Sequence, residues 1–107
     1  VVNHLHYTYR ITWSEEDREY VALCAEFPSM SYVASDQAAA LKGLTKLVKG
    51  VVEDMLASGE HVPTPLAEKE YSGKFQVRIP PEQHRNLAIQ AAEQGVSINR
   101  LVSAKLS

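Results

Sequence analysis

Residues 73–79 read Gly-Lys-Phe-Gln-Val-Arg-Ile, and no other segment constrains the chain as strongly. Phe75, Val77 and Ile79 alternate with Lys74, Gln76 and Arg78, the period of two that marks a half-buried strand. Pro80-Pro81 stops the strand, and Pro81 suits the first position of a helix, where its missing N–H costs nothing. A helix over 82–94 sets His84, Leu87, Ala88 and Ala91 on one face, and Gly95 closes it. Ser97 then caps a second helix with Ile98, Leu101 and Val102 inward. Residues 73–107, about 35 in all, are too few to bury a stable core, and their strand has no partner among them. A second copy supplies one. Two strands pair antiparallel, and four helices close over a dimer core of Phe75, Val77, Ile79, Leu87 and Leu101.

In that arrangement, a ribbon-helix-helix, the other strand face displays Lys74, Gln76 and Arg78 twice about a two-fold axis. Such a ribbon fits the major groove, where arginine pairs with guanine and glutamine with adenine. These three residues are the expected base readers. The start of the second helix, at Ser97, Ile98, Asn99 and Arg100, offers free N–H groups and a positive dipole end to a phosphate. The expected partner is operator DNA.

The charge distribution agrees. The formal net charge is −2, but it is unevenly spread. Residues 1–60 carry nine acids and five bases, while residues 73–107 carry five bases (Lys74, Arg78, Arg85, Arg100, Lys105) against two acids (Glu82, Glu93). A basic tail points to a polyanion and an acidic body to a basic partner.

The front of the chain reads as a small β-meander and one long helix, so the fold class expected for the whole is α+β. His6–Trp13 alternates, with Tyr7, Tyr9, Ile11 and Trp13 on one face. Ser14–Arg18 is a charged turn. Glu19–Phe27 forms a second strand with Val21, Leu23, Ala25 and Phe27 on one face. Its other face (Tyr20, Ala22, Cys24) is mixed, which suits a central strand. Pro28 ends it, and Ser31–Ala34 is a short third strand. Leu41, Leu44, Val48, Val51 and Met55 then follow a helical spacing, with Ser35 or Asp36 as N-cap and Gly59 at the C-terminal end. His61-Val-Pro-Thr-Pro-Leu66 is a stiff connector. The expected division is a front domain over 1–66, a linker or last strand over 67–72, and the tail over 73–107.

Other residues invite chemistry and do not sustain it. His4, His6, His61 and His84 lack the close spacing of a zinc site, so no metal and no cofactor are expected. His84 is expected to pack on its helix face. Cys24, the single cysteine, reads as a small buried side chain. Glu15, Glu16 and Asp17 fall in a turn, where solvation is the default. Tyr7, Tyr9 and Trp13 read as core. Nothing here makes an enzyme, and a nuclease reading lacks an acidic or histidine cluster. No apolar run reaches the roughly 18 residues of a membrane span, and the first ten residues lack a signal-peptide stretch, so a cytoplasmic location is expected.

KFQVRIPPEQHRNLAIQAAEQGVSINRLV closely resembles the ribbon-helix-helix tail of the HicB antitoxin family. YTYRITWSEEDREYVALCAEFP resembles that family's two opening strands, and VPTPL its proline connector. One departure lies at the long helix. Where the family often has a Thr cap and an acidic pair, this chain has Asp36, Ala38 and Ala39. The resemblance implies a front domain that blocks a HicA-like, mRNA-cleaving toxin and a tail that represses the operon of both genes. A stand-alone ribbon-helix-helix regulator with a sensing front domain is the alternative.

Overall fold

In the computed structural model, which describes residues 2–107, the chain is α+β, with a three-stranded antiparallel sheet and three helices. Backbone contacts divide it into two units, Val1–Tyr71 and Ser72–Ser107.

In the first unit β1 is Tyr9–Ser14, β2 Glu19–Cys24 and β3 Phe27–Ala34, in spatial order β1-β2-β3, followed by helix α1 over Gln37–Ala57. Asp36, not Ser35, caps α1, its carboxylate accepting from Ala39 N–H at 2.8 Å. Past the other end, Gly59 takes φ +74°. Its N–H reaches the Leu56 carbonyl while Glu60 N–H reaches Met55, the paired closure of a Schellman turn.

β2 is central, as its mixed composition suggested, but the details of the meander differ from expectation. The first strand begins later than predicted, because His4–His6 winds into a 3-10 turn capped by the Asn3 side chain. The second strand ends at Cys24, with Ala25-Glu26 as a tight turn, so Phe27 opens β3 instead of closing β2. Pro28 lies within β3. It is accommodated because β3 is an edge strand and the register slips between Leu23 and Cys24, which pair with Ser31 and Phe27 and leave Pro28–Met30 unopposed.

The covered face of β2 is the one that carries the small side chains. Ala22 and Cys24 are buried, while Val21 and Leu23 are only half-buried and Ala25 is exposed. Small side chains are what a strand needs where a helix lies close above it. The helix contributes Leu44 and Val48 of the predicted stripe, joined by Ala40 and Val52. Leu41 stays on the surface, and Val51 and Met55 only flank the core. Each fully buried Leu or Val contributes about 1.5–3 kcal/mol. Tyr7 is core, its ring edge-on to Phe27 at 5.3 Å. Trp13, expected beside it, is 43% exposed. It stands at the turn end of the sheet against its cross-strand partner Tyr20, with its indole N–H on Glu15.

The proline segment is docked onto the first unit. Val62 and Pro65 are buried, and Tyr7 Oη donates to the Pro63 carbonyl at 2.7 Å. Glu26 binds from the other side. Its carboxylate accepts from Leu66 N–H at 2.9 Å, from Thr8 N–H at 3.0 and 3.2 Å, and from the Thr8 hydroxyl. Burial pushes this carboxyl up, but the bonds from Leu66 and Thr8 together outweigh it and hold the group below its ordinary value. Burial likewise raises the Cys24 thiol, and it carries Tyr9 up to about 12, with the negative potential of Cys24 and Glu26 adding to it. Residues 67–72 form no strand; a 3-10 turn over Leu66–Glu68 follows Pro65, and Glu68 meets His6.

In the second unit α2 is Pro81–Gln94 and α3 is Ile98–Leu106. Gly95, at φ +68°, repeats the closure seen at Gly59, with its own N–H on Ala92 and Val96 N–H on Ala91. Ala91 and Leu101 are buried where the two helices meet, and Leu87, Ala88, Ile98 and Val102 are half-buried. His84 is exposed and takes no part in that packing.

Candidate nucleic-acid interface

The segment between Gly73 and Pro80 carries the residues expected to read DNA. Gly73 turns the chain at φ +80°, and Lys74 N–H is held by the Ser72 hydroxyl at 3.1 Å. Residues 74–80 join no ladder among the described residues, so the predicted strand is not formed there. The reason is the one that made the segment informative. A strand is defined by hydrogen bonds to a neighbour, and none of the other described residues supplies one.

The consequence is a solvated apolar row. Phe75 is 74% and Val77 63% exposed, and Ile79 is half-buried. Lys74, Gln76 and Arg78 occupy the intervening positions, all three exposed. Among the described residues none of their side chains makes a hydrogen bond or ion pair within the chain. Two cations and an amide are therefore free to meet an outside partner.

The start of α3 is built as expected. Ser97 is extended, and its hydroxyl accepts from Arg100 N–H at 3.1 Å. That satisfies one of the amides a helix leaves unpaired at its start; those of Ile98 and Asn99 stay open. The Asn99 and Arg100 side chains are exposed beside them. Of the proposed dimer-core residues, Leu101 is already buried within one copy, Leu87 and Ile79 are half-buried, and Phe75 and Val77 are left to solvent.

Sequence reasoning missed Glu26. A single acid inside the apolar run Leu23-Cys-Ala-Glu-Phe27 was a signal, since an acid in such a place needs hydrogen-bond donors. Among the described residues no three His, Cys, Asp or Glu side chains gather as a metal site would require. No described helix is long and apolar enough to cross a membrane.

The HicB family model matches residues 56–106. That span covers 51 of the 107 residues and supports HicB family membership. It runs from the end of α1 through the docked proline segment and the exposed 74–80 stretch to the last turn of α3, so it contains every residue of the candidate interface. A HicB match is consistent with an antitoxin role. No curated protein and no solved structure gave a significant match.

Proposed function

We propose that this chain is the antitoxin of a type II toxin–antitoxin pair, a binding protein and not an enzyme. Its first unit neutralises a HicA-like, mRNA-cleaving toxin, and its tail pairs with a second copy as a ribbon-helix-helix that represses its own operon. The observation that carries the DNA-binding part is the solvated row of Phe75 and Val77 between Lys74, Gln76 and Arg78. Exposing two large apolar side chains forfeits about 1.5–3 kcal/mol each, and a second ribbon recovers it. The same pairing presents the polar row twice on one surface, which suits the major groove. The acidic balance of residues 1–60 supports a basic partner for the first unit, as an RNA-binding toxin is.

Most of the first unit lies outside the span matched by the HicB family. That favours keeping one second reading, a stand-alone regulator whose first unit senses a ligand or another protein. The two are separated by co-expressing the chain with the product of the adjacent reading frame and titrating the complex onto DNA from upstream of its own gene. Co-purification with a small basic protein and specific binding to that DNA are expected. Specific DNA binding with no co-purifying neighbour would select the regulator, and failure on both would overturn both readings.

A further inference from the structure

The outer face of α1 carries a shallow cavity of about 440 Å³, lined by Tyr32 and by Gly43, Lys46, Leu47, Gly50 and Asp54 of the helix. Leu47 and Tyr32 remain 44% and 42% exposed. The two glycines have different explanations. A Cβ on Gly43 would fall 2.1 Å from the Tyr32 ring, so the fold itself calls for glycine there. A Cβ on Gly50 would meet nothing within 4 Å. A mid-helix glycine costs about 1 kcal/mol relative to alanine, and none of the described residues makes a contact that calls for it at Gly50.

The charges around Gly50 indicate what covers this face. Lys46 lies four residues before it and Asp54 four residues after, on the same groove. Among the described residues neither is in an ion pair. A face with opposite charges equally spaced about its centre is complementary to itself under a two-fold rotation. When two such helices cross antiparallel at Gly50, Lys46 of each comes level with Asp54 of the other, twice, about 6 Å on either side of the axis. The crossing sets the two Gly50 positions next to each other at the axis, and Leu47 is covered on both copies. We propose that the α1 face centred on Gly50 docks a second copy of this chain, antiparallel and two-fold symmetric. The contact is separate from the ribbon pairing proposed for residues 73–79 and does not depend on it.

Gly50→Cys in the full-length chain tests this directly. The only native thiol, Cys24, is buried and does not compete. The open space at Gly50 leaves the fold undisturbed, which circular dichroism checks. Mild oxidation is expected to give a disulfide-linked dimer on a non-reducing gel. Adding Lys46→Glu sets like charges against each other and is expected to lower the cross-linked fraction at least tenfold; adding Asp54→Lys to that variant restores it. A Gly50→Cys chain that stays uncross-linked, or that cross-links equally with Lys46→Glu, overturns the proposal. The readout is proximity of the two helices, so it holds whether or not the tail also pairs.

Discussion

Glu26 and Leu66, forty residues apart, are joined by a hydrogen bond in which the Leu66 N–H donates to Glu26 Oε2 at 2.9 Å. The same carboxylate takes both polar hydrogens of Thr8, so one side chain ties the start of the sheet to the segment leaving the helix. Glu26→Ala is expected to cost about 1.5–3 kcal/mol in urea unfolding, the usual worth of bonds to a charged acceptor. Cleavage by a non-specific protease between residues 62 and 71 should quicken. The pH dependence has a definite sign. Glu26 sits below its ordinary value when folded, so its contribution is complete above the ordinary carboxylate pKa and is lost as pH falls through the lower, folded one. Stability of the Glu26→Ala chain should therefore fall less steeply with acid than that of the native chain. Equal slopes would remove Glu26 from this role.

Tyr7 holds the other side of that junction, donating to the Pro63 carbonyl, while Tyr9 donates to the His4 carbonyl, each at 2.7 Å. Tyr7→Phe keeps the packing on Phe27 and leaves the Pro63 carbonyl without its donor, a loss of about 1 kcal/mol. Tyr9 ionises at about 12 when folded, above the ordinary value of 10.0, so its contribution is full below pH 10 and lost as pH rises towards 12. An ultraviolet titration of phenolate should show this tyrosine ionising late, together with unfolding.

Phe75 and Val77 contact little within one copy, so polar substitutions there cost a single chain almost nothing. Phe75→Asp with Val77→Asp is expected to reduce the mass seen by light scattering, while circular dichroism keeps the signal of α1 and the sheet. An unchanged mass would show that these side chains do not hold copies together.

Arg78→Ala and Ser97→Ala should weaken DNA binding in different ways. Arg78 is expected to read a base edge, so its loss costs about 1–3 kcal/mol per copy on the preferred sequence and little on scrambled DNA. Ser97 fixes the start of α3 through Arg100 N–H, and its loss should lower affinity for both sequences alike, with about 1 kcal/mol of stability lost with the cap. Titrations on both DNAs at one salt concentration compare the two ratios. A native ratio in a well-folded Arg78→Ala chain would take the ribbon out of recognition.

The helices and their ends were legible in the sequence because their causes are local. Asp36, Ser97, Pro81, Gly59 and Gly95 act on backbone groups within a few residues of themselves, so each cap and stop could be read where it stands. The unsatisfied character of residues 74–79 was equally plain, since an alternating strand with no partner is a property of composition and order. What only the tertiary structure decided depends on distance across the fold. Packing of α1 on the sheet decided which side of β2 became core, covering Ala22 and Cys24 and leaving Val21 and Leu23 half-buried. The docking of the proline segment rests on Tyr7, 56 residues before Pro63, and on Glu26, 40 residues before Leu66, with Thr8 holding the same Glu26 carboxylate. Periodicity reports which residues share a face, but which face is covered depends on what the rest of the chain brings to it.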